Sequence, residues 1–88
     1  MGFVVKEIQA TPNPNALKFV LDAEITDKPV SFLNPSEGTG HPLASQLFAI
    51  EGVTSILLLG DFVTVNKSAD AKWEFITRNV REILKKTG

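Results

Sequence analysis

The residues that could carry chemistry are few, because the chain of 88 residues contains no cysteine and a single histidine. Without thiols, the sequence excludes a disulfide framework, a thiol nucleophile and thiolate ligation of zinc or an iron–sulfur cluster. His41 could act as a base toward Ser36, Thr39 or Ser45, but no nucleophile-elbow motif surrounds any of these hydroxyls. We therefore predict that the protein is not an enzyme.

Metal ligands could come only from His41 and from scattered carboxylates. The candidate carboxylates are Glu37, Asp61, Asp22 and Glu24. No ligand spacing groups them, although oxygen-rich sites with one histidine can hold ferrous iron weakly or bind hard cations. We predict no metal site and no cofactor, and weak iron binding stays open as the alternative.

A glycine-rich loop leads into a predicted helix. The loop ends in Gly38, Thr39, Gly40 and His41. Pro42 suits the first helical position, and backbone N–H groups at a helix start can bind phosphate or carboxylate. The spacing matches neither the P-loop nor the dinucleotide fingerprint. These four residues are a candidate site for a small anion, and the alternative is a mobile loop with an exposed histidine.

The segment most restricted by its own sequence consists of Thr11, Pro12, Asn13, Pro14 and Asn15. Each proline fixes its own φ and favours extended backbone at the residue before it. Asn15 can bond to the backbone two residues on, and asparagine tolerates positive φ. We predict a stiff turn that delivers the chain into a strand from Ala16. Together with Lys18 the turn is a candidate surface for binding a partner protein, and the alternative is a purely structural turn.

Five strands are predicted around these candidate sites. They are Phe3 to Gln9, Ala16 to about Leu21, Val30 to Phe32, Val53 to Leu59, and Phe62 to Val65. Pro29 blocks one ladder bond, which favours a sheet edge for the third strand. Gly60 and Asp61 are typical of a type II′ hairpin, which joins the last two strands in the middle of the sheet.

Two helices complete the prediction. The first begins at Pro42, has an apolar stripe of Leu43, Leu47 and Ile50, and is followed by Gly52 as a left-handed stop. Ser68 and Asp70 offer caps for the second helix. The apolar stripe of that helix consists of Trp73, Ile76, Val80, Ile83 and Leu84. Trp73 lies in register with the aliphatic residues and is interpreted as a core anchor.

The order β-β-β-α-β-β-α lacks continuous β-α-β alternation and predicts an α+β fold. We expect a two-layer sandwich, a mainly antiparallel five-stranded sheet with both helices on one face, in a single domain over residues 1–88. A net charge of −1 argues against nucleic-acid binding. No apolar run is long enough to span a membrane. Lys6 and Glu7 stand where a signal peptide would be apolar, so we predict a cytoplasmic protein.

Three blocks of sequence cover nearly the whole chain. They are Thr11 to Phe19 (TPNPN-x-LKF), then Pro42-Leu43-Ala44 with Leu47-Phe48 and Ile50-Glu51-Gly52-Val53, and then Asp61 to Val65 followed by Trp73. In order and spacing these blocks resemble the N-terminal domain of the Nfu/NifU-type iron–sulfur cluster scaffold proteins. In longer members of that family, a separate C-terminal domain with a Cys-x-x-Cys pair holds the cluster.

The resemblance implies a non-catalytic interaction domain that is accessory to iron–sulfur cluster assembly or delivery. It implies partners among the proteins of that process, such as a Cys-x-x-Cys cluster-carrying domain or an apo-target that receives a cluster. The alternative function, drawn from the residues alone, is a small-anion-binding protein that uses the loop from Gly38 to His41.

Overall fold

The five strands pair in one antiparallel sheet in a computed structural model that describes residues 2–87. The strands are β1 (Val5–Ala10), β2 (Ala16–Leu21), β3 (Val30–Phe32), β4 (Val53–Leu59) and β5 (Phe62–Lys67). Their spatial order is β1-β2-β5-β4-β3, which places β3 at an edge and the β4–β5 hairpin within the sheet. The predicted α+β fold is confirmed.

The helices are α1 (Pro42–Phe48), between β3 and β4, and α2 (Trp73–Lys86), after β5. Both lie on one face of the sheet, because their buried side chains form one cluster with the inward side chains of the strands. Leu47 from α1 and Ile76 from α2 are fully buried in it beside Phe19 and Val63, which pair across β2 and β5. The predicted apolar stripes of both helices therefore face the core. Within residues 2–87, neither helix is long and apolar enough to cross a bilayer.

The β4–β5 hairpin has the predicted two-residue connection. Leu59 pairs with Phe62, and Gly60 between them has a φ of 57°. A positive φ at the first central position is what a type II′ turn requires, and glycine adopts it without a steric penalty.

The segment before α1 is more regular than predicted. A short 3₁₀ helix, Pro35–Gly38, occupies the glycine-rich loop, and the Asn34 side chain caps it by accepting from the Glu37 N–H at 3.3 Å. The first strand also begins two residues later than predicted, at Val5. These differences leave the topology unchanged.

The predicted caps of α2 are wrong. Its N-cap is Lys72, whose side chain makes no capping hydrogen bond. Ser68 does not cap the helix, because it belongs to a turn that precedes it. Its N–H donates to Gly52 O at 2.8 Å, and its carbonyl accepts from the Ala71 N–H at 3.1 Å. The chain therefore makes a turn over residues 68–71 before the helix begins.

Candidate functional site

Residues 11–15, which we call the proline–asparagine turn, are held together by their own short polar side chains. The Thr11 hydroxyl lies 2.8 Å from Asn13 O and 3.0 Å from Ala16 O, and it accepts from the Asn13 N–H at 3.1 Å. Asn13 Oδ1 accepts from the Asn15 N–H at 2.8 Å, and Asn13 O accepts from the Ala16 N–H at 3.0 Å. The turn is therefore stiffened by hydrogen bonds as well as by its two prolines.

The structure corrects the predicted role of Asn15. Asn13, and not Asn15, makes the side-chain bond to the backbone two residues on. No residue other than glycine has a positive φ within residues 2–87. The Asn15 side chain instead points to a distant lysine, because the backbone that follows it already belongs to β2.

Two residues far along the chain hold the proline–asparagine turn from outside. Trp73 Nε1 donates to Pro14 O at 3.1 Å. Lys67 donates to Asn15 twice, from its backbone N–H to the carbonyl at 2.8 Å and from Nζ to Oδ1 at 3.0 Å. The Lys67 ammonium also donates to Ser68 O at 3.2 Å and lies 5.6 Å from the centre of the Trp73 ring. The end of β5 and the start of α2 therefore fix the turn.

This anchoring modifies the interpretation of Trp73 and adds a residue that the sequence did not single out. Trp73 packs against the core while partly exposed, and its indole N–H supports the turn. Lys67 lies beyond the predicted fifth strand, Phe62 to Val65, and no local pattern marked it; the strand extends to Lys67 in the structure. The outer edge of the turn stays open to solvent, since Pro12, Asn13 and Pro14 are exposed.

Lys18 lies apart from the turn. In β2 it pairs with Gln9 on one side and Thr64 on the other, on the sheet face opposite the helices. Its ammonium lies 4.1 Å from the centre of the Phe62 ring, a cation–π contact. No hydrogen bond joins Lys18 to the turn in the described part of the chain, so the structure does not bring these predicted site residues together.

The glycine-rich loop has a packing role. Gly38 is buried, and a Cβ at this position would lie 2.7 Å from the ring of Phe48. Gly38 O accepts from the His41 N–H at 3.0 Å, and the Thr39 hydroxyl donates to Ser36 O at 3.2 Å. Gly40 has open space around its Cα. Close packing therefore explains one of the two glycines.

His41 occupies the start of α1. Its Nδ1 accepts from the Ala44 N–H at 3.2 Å, and its ring packs edge-on against Phe32 with 5.3 Å between the ring centroids. The imidazole thus takes one of the N–H groups that an anion would need. The anion site at Gly38, Thr39, Gly40 and His41 stays an untested prediction, and the structure gives Gly38 and His41 a folding role.

A hollow of about 330 Å³ opens between the end of the α1 region and the start of α2. It is lined by Glu51, Gly52, Ser68, Asp70, Ala71, Lys72 and Phe75. No pattern in the sequence predicted this hollow. In residues 2–87, no three carboxylate or imidazole groups lie close enough together to hold a metal ion.

The sequence model of the family described as "Scaffold protein Nfu/NifU N terminal" matches residues 5–88. Among curated proteins, the "NFU1 iron-sulfur cluster scaffold homolog, mitochondrial" of Drosophila willistoni is 38% identical over 80 residues. The protein of the same name from Drosophila persimilis is 36% identical over 80 residues. Each match covers 89% of this chain but 28% of the relative. The chain therefore spans little more than a quarter of the length of these relatives.

Two solved structures share the fold over most of this chain. A NifU-like protein from Saccharomyces cerevisiae has a TM-score of 0.77 at 29% identity, covering 91% of this chain and 74% of that one. Protein SAV1430 from Staphylococcus aureus has a TM-score of 0.73 at 26% identity, covering 94% of this chain and 98% of that one.

The prediction of a cytoplasmic location is wrong. The curated relatives are named as mitochondrial proteins, which contradicts that prediction. Lys6 and Glu7 speak only against an apolar secretory signal, and mitochondrial transit segments are instead amphipathic and rich in arginine.

Proposed function

Because the chain belongs to the family of Nfu/NifU scaffold-protein N-terminal domains, we propose that it is a non-catalytic docking domain in iron–sulfur cluster assembly or delivery. The observation that supports this function most is the construction of the proline–asparagine turn. Its carbonyl and amide oxygens accept hydrogen bonds from within the turn, from Lys67 and from Trp73. Pro12 to Pro14 nevertheless remain exposed to solvent. A rigid, exposed surface of this kind loses little conformational entropy on binding.

The proposed division of roles follows from the absence of thiols in the sequence. The cluster is cargo held by the thiolates of a partner, such as a Cys-x-x-Cys carrier domain, or accepted by an apo-target. This domain supplies a contact surface that brings carrier and target together. The candidate contact residues are Thr11, Pro12, Asn13, Pro14 and Asn15, with Lys18 on the neighbouring sheet face.

An NMR titration of the ¹⁵N-labelled domain tests the proposal. A Cys-x-x-Cys domain from the same family is added in apo and cluster-loaded forms, and ferrous iron alone is added in a separate arm. We expect the carrier domain to shift the backbone amide signals of Thr11, Asn13 and Asn15 and the indole N–H signal of Trp73. Carrier binding elsewhere, absence of carrier binding, or iron-induced shifts of the same signals would contradict the docking function.

Variants compare the turn with an asparagine elsewhere on the domain. The double substitution Asn13→Ala with Asn15→Ala is expected to weaken carrier binding by more than about tenfold, which corresponds to about 1.4 kcal/mol. Asn79→Ala is the matched control, because its side-chain amide bonds within α2, to Phe75 O at 2.8 Å, and away from the turn. Carrier affinity equal in both variants would return the turn to a purely structural role.

A further inference from the structure

We infer that the proline–asparagine turn recognises an acidic segment of its protein partner. This inference rests on the proposed function and adds the chemistry of the surface that the turn binds. It is based on which polar groups of the turn already have a hydrogen-bond partner and which have none within residues 2–87.

The acceptors of the turn are almost all used internally. Asn13 Oδ1 and O, Pro14 O, and Asn15 O and Oδ1 each accept a hydrogen bond. Among the carbonyl and amide oxygens of residues 12–15, only Pro12 O has no partner within residues 2–87. The two prolines have no N–H to offer, and the N–H groups of Asn13 and Asn15 are bonded to Thr11 Oγ1 and Asn13 Oδ1.

Apart from Pro12 O, the groups that remain without a partner are donors. In the described chain, no acceptor contacts Nδ2 of Asn13 or Nδ2 of Asn15. The orientation of both amides is set by chemistry, because each Oδ1 accepts from an N–H or ammonium group and the flipped amide could not. Each NH₂ group offers two protons. Because these amide donors outnumber the one free carbonyl, a partner that presents oxygen acceptors suits this surface best.

Charge favours carboxylates over neutral carbonyls as those acceptors. The half-buried Lys67 ammonium donates to two neutral oxygens, Asn15 Oδ1 and Ser68 O. Neither partner carries a charge that would offset the ammonium. A positive charge partly withdrawn from solvent is screened less than one on the open surface. Charge-assisted hydrogen bonds from amide donors to a carboxylate are also stronger than bonds to a neutral oxygen.

A second basic site on the same chain shows how strongly an acidic peptide binds through charge alone. Lys85 and Lys86 are exposed neighbours in the last turn of α2. They bring more charge than Lys67 alone but no amide donors on a fixed turn. An acidic peptide that responds only to charge should bind there at least as well as at the proline–asparagine turn.

The substitution Asn13→Asp isolates the outward donor. Aspartate keeps an oxygen that can accept from the Asn15 N–H, since both side chains form this type of turn. It replaces the outward NH₂ group by a negatively charged oxygen. The fold of the turn is therefore retained while the polarity of its outer surface is reversed.

The test is an NMR titration of the labelled domain with capped hexaglutamate, capped hexaglutamine and inorganic phosphate. We expect hexaglutamate to shift the side-chain amide signals of Asn13 and Asn15, with saturation, and hexaglutamine to shift them little. Affinity should fall at least about fivefold in Asn13→Asp. It should also fall several-fold when salt rises from about 50 mM to about 300 mM.

Three results would overturn the inference: equal shifts with both peptides, shifts confined to Lys85 and Lys86, or equal shifts with phosphate at matched charge concentration. The last result would mean that the turn binds small anions and not an acidic segment. The Asn13→Asp amide spectrum checks that the turn is still folded.

If the carrier domain docks at the turn but hexaglutamate does not, this inference fails and the proposed function stands. The reverse pattern removes the proposed function and keeps the acidic-segment site.

Discussion

At the N-terminus of α1, an imidazole nitrogen takes the place of the hydroxyl or amide oxygen that usually caps a helix. His41 Nδ1 accepts from the Ala44 N–H, so the ring proton of the neutral imidazole lies on Nε2. The ring also packs against Phe32. A single side chain thus joins the cap of α1 to the edge strand β3.

Removal of this cap should destabilise the protein measurably. We expect His41→Ala to lower the free energy of unfolding by about 1 kcal/mol, the usual value of an N-cap. His41→Asn loses the same ring contact but keeps an acceptor, so it should recover most of the loss. Urea denaturation of both variants checks this, and equal stability of the two would show that the cap contributes nothing.

Trp73 is the second residue in which a single polar atom is expected to contribute to stability. We expect Trp73→Phe to cost about 1 kcal/mol, because Pro14 O loses its donor while most of the ring packing remains. Hydrogen exchange of the Asn15 N–H should also become faster as the turn loosens. Phe75→Leu is the control in the same helix, since that ring is 48% exposed. An unchanged exchange rate in Trp73→Phe would show that the indole does not fix the turn.

At the scale of elements, the backbone just before β4 passes close to the segment that leads into α2. Gly52 has a φ of 98°, and a Cβ there would lie 2.6 Å from the Cβ of Ala71. Its carbonyl accepts from the Ser68 N–H. Both the backbone conformation and the available space therefore require glycine at this crossing.

We expect Gly52→Ala to lower the free energy of unfolding by roughly 1–3 kcal/mol, the cost of a strained backbone with an added clash. Gly40→Ala is the matched control. That glycine has no positive φ and no atom within 4 Å of the added methyl group, so the change should be neutral or slightly stabilising. Thermal unfolding of both variants distinguishes them. Similar melting temperatures would contradict the argument for Gly52.

The elements were predictable because each rests on local pattern. Alternation identified β2, the stripe at steps of three and four identified α1 and α2, and Gly60 identified the hairpin. The caps of α2 were not predictable, since both Ser68 and Asp70 are good capping residues. The bonds from Ser68 N–H to Gly52 O and from Ala71 N–H to Ser68 O hold these residues in a turn before the helix.

The candidate site was predictable in part for the same reason. The proline–asparagine turn was recognisable from residues 11–15 alone. Its anchors were not, because Lys67 is 52 residues from Asn15 and Trp73 is 59 residues from Pro14. Contacts over such separations depend on the packing of α2 and β5 beside the β1–β2 connection, which no local pattern specifies. The separation of Lys18 from the turn likewise depends on the strand that it lies on.

At the scale of the molecule, stability depends on one buried layer between the sheet and the two helices. Leu47 from α1 is fully buried in that layer. We expect Leu47→Ala to cost on the order of 2–5 kcal/mol through the cavity it leaves. That is a large part of the roughly 5–15 kcal/mol typical of a folded domain.

Leu33→Ala is the control for this prediction, because that side chain is 72% exposed. Its free energy of unfolding should change by less than about 0.5 kcal/mol. Urea denaturation measures both variants. A loss below about 1 kcal/mol in Leu47→Ala would mean that the layer readjusts to fill the cavity.

The bond between Trp73 and Pro14 also gives the protein an optical reporter. The chain has one tryptophan and no tyrosine, so its indole fluorescence comes from a single ring whose N–H rests on the proline–asparagine turn. A molecule that binds to the turn changes the polarity around the indole ring and therefore shifts the wavelength of its emission maximum. Association at this surface can therefore be followed in the unlabelled native chain.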